Sequence, residues 1–77
     1  MAIKWTDRES AIKHGFENGK AVIEGQLFAD AVSDLPALHG EVGGALVEWG
    51  SIAYVAGDQY YTMKSSGTWV GQDGTEV

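Results

Sequence analysis

Proton transfer or metal ligation in this chain would begin with His14 and His39, because histidine is the side chain that ordinarily titrates near neutrality. The two are far apart in sequence and neither falls in a paired-ligand motif, which favours a surface or hydrogen-bonded structural role for each. Asp7 with Glu9, and Asp73 with Glu76, are carboxylate pairs of the kind that hold a hard cation or divide acid and base work. A helix start accounts for the first pair and a solvated tail for the second. Asp73-Gly74-Thr75-Glu76 holds only a fragment of a calcium loop. Ser10, Ser33, Ser51, Ser65 and Ser66 lie in no motif that activates a hydroxyl, and there is no nucleophile elbow, phosphate loop or paired-histidine helix. The expectation is a protein that is not an enzyme and carries no metal or cofactor.

The aromatic residues say more. Trp5, Phe16, Phe28, Trp49, Tyr54, Tyr60, Tyr61 and Trp69 are many rings for so short a chain, and a small sheet has one face on which to bury them. Tyr60 and Tyr61 are adjacent, so in a strand they point to opposite sides, and both are covered only if something packs on each. A half-exposed ring is common and would need no partner. The functional alternative is an interface, and its candidate residues are Trp5, Ile12, Phe16, Trp49, Tyr54, Tyr60, Tyr61 and Trp69. Trp5 is the expected anchor, since a ring near a terminus has little of its own domain to enter. A second reading uses Trp49 with Tyr60 or Tyr61 as a stacking platform for carbohydrate or for a receptor.

These residues must be positioned by short strands. Gly50 to Val70 is the organising stretch. Ile52-Ala53-Tyr54-Val55 and Tyr60-Tyr61-Thr62-Met63 alternate with period two, and Gly57 and Gly67 break the runs before Thr68-Trp69-Val70, which predicts a three-stranded antiparallel meander. Lys20–Glu24 reads as a strand ended by Gly25, Gln26–Val32 as another, and Pro36 forces a stop. Residues 37–44 read as a loop and Ala45–Trp49 as a brief strand. Met1–Trp5 suits a short edge strand. Thr6-Asp7-Arg8-Glu9 has the form of a capping box, which predicts a helix from Asp7 to His14 with Gly15 closing it. The rival is a hairpin turning at Asn18-Gly19, and the helix is preferred. The predicted fold is mainly β (small α+β): a short N-terminal helix or hairpin, then a small antiparallel meander completed by oligomerisation. Residues 1–31 form an attachment region and 32–77 a small β module, in one compact unit.

Composition bounds the partners. A chain of 77 residues buries only about 60% of the surface its unfolded form exposes, and with no cysteine it has neither disulfides nor thiolate zinc sites to compensate. Association of subunits is the favoured device. Eleven acidic against five basic residues give a net charge of -6, which argues against nucleic acid and anionic membranes and otherwise serves solubility. No apolar run approaches the roughly 20 residues of a membrane span, and charges follow the first residues where a signal peptide is apolar, so synthesis in a cytoplasm is expected.

One resemblance connects these elements. Val32-Ser33-Asp34-Leu35-Pro36, a glycine-bearing loop, Gly50-Ser51-Ile52-Ala53-Tyr54-Val55, Tyr60-Tyr61 and Gly67-Thr68-Trp69-Val70 together resemble a small β module of tail fibres, head fibres and other virion proteins of tailed bacteriophages. The order of the Pro-bearing lead-in, the Ala-Tyr-Val strand and the Trp-Val exit is also similar to the trimerising foldon of phage fibritin, although the stretch between Val55 and Trp69 is longer here. The likeness covers residues 32–70. It implies a virion component, a decoration, cement, head-fibre or small tail-associated protein. Its partners would be major capsid or tail proteins, and its own copies would associate, with a trimer favoured.

Overall fold

The computed structural model describes residues 2–77, which form nine short strands and one 3-10 turn and almost nothing helical. The strands are β1 (Ile3–Trp5), β2 (Ile12–Glu17), β3 (Lys20–Glu24), β4 (Gln26–Ala29), β5 (Glu41–Val42), β6 (Ala45–Val47), β7 (Ile52–Val55), β8 (Tyr60–Met63) and β9 (Trp69–Gly71). They make two sheets, one ordered β1-β4-β7-β8-β9 and the other β2-β3-β6-β5. The 3-10 turn at Val32–Asp34 lies just ahead of Pro36, where the sequence requires regular structure to stop.

The predicted meander is present as β7, β8 and β9, paired antiparallel with Ala53 opposite Tyr61 and Met63 opposite Trp69. Period two then decides which residues make the core. Ala53, Val55, Tyr61, Met63 and Trp69 point inward and are buried with Leu27, Ala29, Val42 and Val47. Their neighbours Ile52, Tyr54, Tyr60, Thr62 and Val70 point outward.

Both sheets are mixed rather than purely antiparallel. β3 runs parallel to β6, and β4 runs parallel to β7. Because β3 and β4 are separated by Gly25 alone, residues 20–29 form one bent ribbon that leaves the four-stranded sheet and enters the five-stranded one. Residues 45–55 do the same beside it. The corner tolerates no side chain at Gly25, where a Cβ would stand 2.9 Å from Ala11 Cβ and 3.3 Å from the Trp5 ring. Ser51 fastens it: fully buried, its hydroxyl accepts the Gly25 N–H at 3.2 Å, while Ile52 N–H donates to the Gly25 carbonyl at 3.0 Å. The expected boundary at 31/32 is therefore not a structural division, since β3 and β4 on one side pair with β6 and β7 on the other.

The preferred helix over Asp7–His14 is replaced by the hairpin. Asp7 to Ser10 form a turn, with Asp7 Oδ1 accepting the Ser10 N–H at 3.3 Å, and β2 follows. Asn18 (φ 53°) and Gly19 (φ 78°) make the two-residue turn into β3, both in the left-handed region that such a turn needs. An eight-residue helix is marginal in water, and taking it would leave the outer edge of β3 unpaired. The loop expected over 37–44 also contains a strand, β5, which turns back on β6 through Gly43-Gly44.

Trp5 is not a free anchor. In β1 it packs half-buried against the core, and its indole N–H donates to the Val42 carbonyl of the opposite sheet at 2.6 Å. Arg8 Nη1 adds a bond to the Gly43 carbonyl at 3.0 Å. The segment expected to dock elsewhere thus ties the two sheets of its own domain. Met1, which the sequence reading places in this strand, lies outside the described residues. Trp5→Ala should cost about 2–3 kcal/mol, less than for a fully buried tryptophan, and a shift of the urea midpoint with unchanged slope is the readout.

The last residues close the free edge of β9. Val77 N–H donates to the Trp69 carbonyl at 2.9 Å and Gly71 N–H to the Thr75 carbonyl at 2.8 Å. Asp73 shapes that turn, its carboxyl held below the usual range by the Thr75 backbone N–H and the Gln59 amide that it accepts.

Candidate functional site

The register of the five-stranded sheet assembles a surface that no single segment contains. On its outer face Lys4 stands opposite Phe28, Phe28 opposite Tyr54, and Tyr54 opposite Tyr60. Four strands therefore contribute one residue each to a single row. The Phe28 and Tyr54 ring centroids are 5.9 Å apart at 41°, and those of Tyr54 and Tyr60 are 5.0 Å apart at 54°, within the range of favourable tilted ring pairs. A second row runs alongside, with Gln26 opposite Ile52, Ile52 opposite Thr62 and Thr62 opposite Val70.

Between the rows is a shallow concavity of about 280 Å³ lined by Thr6, Gln26, Phe28, Ile52, Tyr54 and Tyr60. None of the outward residues in the two rows is acidic, although eleven of the 77 residues in the chain are. Acids stand at the rim: Asp30 just past β4, Asp58 in the turn between β7 and β8, and Glu76, which is bridged to Val70 at the end of the second row. Depletion of charge around aromatic rings, within a charged surround, is the composition of an interface core. Tyr60 is 51% exposed and Ile52 37%, so the apolar content is available to a partner.

The eight residues expected at an interface separate into three groups. Tyr54 and Tyr60 lie in the aromatic row. Ile12 and Phe16 lie on β2, 57% and 69% exposed, and Trp49 lies in the turn after β6, 52% exposed. Trp5, Tyr61 and Trp69 are packed into the domain and are corrected to core residues, Tyr61 and Trp69 each being 3% exposed. Tyr61 donates its hydroxyl proton to Asp58 at 2.9 Å. The Gln59 amide draws the pKa of that phenol down, but the bond to Asp58, burial and the charges of Asp58 and Asp73 outweigh it, and the net shift is upward. Local pattern does not mark Phe28, Ile52, Thr62 and Val70 as members of a surface. In Gln26-Leu27-Phe28-Ala29 the adjacent Leu and Phe hide the alternation, and the parallel pairing that brings Phe28 beside Tyr54 has no local signal.

The histidines are held by carboxylates. His14 Nε2 is 2.9 Å from Glu24 Oε1. His39 Nδ1 is 2.9 Å from Glu17 Oε2, and its Nε2 is 3.2 Å from Glu48 Oε1. The two ring nitrogens point away from each other, so these carboxylates do not converge with His39 on one ion. Among the described residues no three potential ligands are grouped for a metal. Ser51, the one buried serine, is engaged at the corner.

Comparison of the chain with protein-family models, with curated proteins and with solved structures finds no match.

Proposed function

We propose that this chain is a non-enzymatic structural protein of a bacteriophage particle, which attaches to a larger capsid or tail protein through the outer face of its five-stranded sheet. The observation that carries the reading is the acid-free aromatic row Phe28-Tyr54-Tyr60 on a small, otherwise acidic domain. A stable attachment needs little chemistry. It needs a rigid face whose rings are already ordered, so that little side-chain entropy is lost on docking. The cross-strand ring pairs supply that order. The resemblance of residues 32–70 to virion β modules supports the particle as the setting.

Mass spectrometry of purified particles tests the reading. Peptides of the chain should persist through density-gradient purification, in a fixed ratio to a major capsid or tail protein, and their absence from particles overturns it. The second reading is a carbohydrate or receptor platform on Tyr60 or Trp49, each about half exposed. Gly50 N–H donates to the Met63 carbonyl, so Trp49 lies at the other end of β8 from Tyr60 and each ring would act separately. Saturable quenching of tryptophan fluorescence by a glycan, with no retention on particles, would favour that reading.

A further inference from the structure

The edges of the two sheets are protected unequally. β9 is closed by the C-terminal residues, β1 has three residues and β5 two. β2 has six, all exposed, and it borders its sheet with no strand on its outer side. Among the described residues it is the one long edge with no strand or segment beside it. Its bulge and Lys13, which discourage indiscriminate pairing, restrict the registers in which another strand can add.

Its geometry is self-complementary. Glu48 N–H donates to the Ile23 carbonyl, so the polar groups of Ile23 face β6. Lys13, opposite Ile23 on the other side, is therefore in a non-bonded pair and turns its own N–H and C=O outward. At the far end, the two-residue turn makes Glu17 and Lys20 a bonded pair, which leaves the N–H and C=O of Phe16 outward as well. Between them the register shifts at a bulge containing Gly15 (φ 111°). The extra residue puts Lys13 and Phe16 on the same face, and the Lys13 ammonium lies 5.5 Å from the Phe16 ring centroid.

We propose that β2 is a docking edge for a second copy of this chain, paired antiparallel about a two-fold axis between His14 and Gly15. In that register Lys13 meets the second copy's Phe16, and Phe16 meets the second copy's Lys13. The outward N–H and C=O groups of these residues face one another, and each ammonium sits over a ring on either side of the axis. Symmetry repeats every contact. The proposal uses a different surface from the aromatic row and stands without the attachment reading. It gives a dimer, where the resemblance to phage modules implies a trimer.

Light scattering on the full chain over a concentration series tests it. The expected result is a monomer–dimer equilibrium that Phe16→Lys, which places ammonium against ammonium, weakens by more than about tenfold. Circular dichroism should show that this exposed substitution leaves the fold intact. Adding Lys13→Glu to Phe16→Lys should restore the dimer through opposite charges across the axis, and Tyr60→Glu should leave it unchanged. A monomer at every concentration overturns the proposal. So does a trimer, a dimer indifferent to Phe16→Lys, a loss that Lys13→Glu fails to rescue, or a dimer abolished by Tyr60→Glu.

Discussion

Trp69→Ala leaves most of the chain unfolded at room temperature without denaturant. The side chain is 3% exposed in the centre of the core, and its indole N–H donates to the Pro36 carbonyl at 2.7 Å. That bond fastens the segment between the two bent ribbons to the last strand of the meander. Deleting a buried tryptophan side chain costs about 3–5 kcal/mol. Leaving the Pro36 carbonyl without its donor adds about 1–3 kcal/mol where water does not replace it. A domain of this size has only about 5 kcal/mol to lose. Far-ultraviolet circular dichroism and urea titration check the result. Trp69→Phe, which keeps most of the apolar volume but not the donor, should fall between the two and retain a cooperative transition. A Trp69→Ala chain as stable as the parent would mean that the core is centred elsewhere.

Tyr60→Glu should have the opposite profile, an intact fold and a failed attachment. Its ring is half exposed on the outer face, so replacing it disturbs Tyr54 but opens no cavity in the core. The new carboxylate would lie within the acid-free row, beside the Tyr54 ring, and would have to lose its water when a partner covers the face. An aromatic hot spot contributes about 2 kcal/mol or more to binding, which corresponds to about a thirtyfold loss of affinity, and Tyr60, the exposed end ring of the row, is expected to be one. The measurement is co-sedimentation of the purified variant with particles lacking the native protein, alongside thermal unfolding. Unchanged retention on particles would place the attachment surface away from this sheet.

What was legible in the chain was what local pattern encodes. The alternation in Ile52–Val55 and Tyr60–Met63, together with the turns at Gly57 and Gly67, was enough for the meander and for sending Tyr60 and Tyr61 to opposite faces. Two local signals competed over residues 7–24. The capping pattern at Thr6–Glu9 lost to Asn18-Gly19 because the hairpin also completes the edge of β3, a tertiary benefit invisible in a short window. Trp5 is likewise held inward by a distant partner. Its proximity to the terminus suggested an exposed ring, but Val42, 37 residues later, supplies the acceptor that holds it inward. The parallel pairings of β3 with β6 and β4 with β7 have no sequence signature, and the aromatic row depends on one of them. Two of the three rings of the row, Tyr54 and Tyr60, are therefore readable from local pattern, while its extension to Phe28 is not.

The two parallel ribbons also constrain how the chain reaches its native state. β7, β8 and β9 can zip together from adjacent turns, but β4 finds β7 only across a separation of about 26 residues, as in Gln26 with Ile52, and β3 finds β6 across 24, as in Val22 with Leu46. Each closure sacrifices loop entropy before any contact compensates for it, and topologies of this kind fold in milliseconds to seconds rather than microseconds. In any chain whose meander has formed before β4 docks, Phe28 is absent from its side and Ala53 and Val55 are still wet. The slowest moment of its birth is thus also when this small protein is most liable to stick to the wrong neighbour.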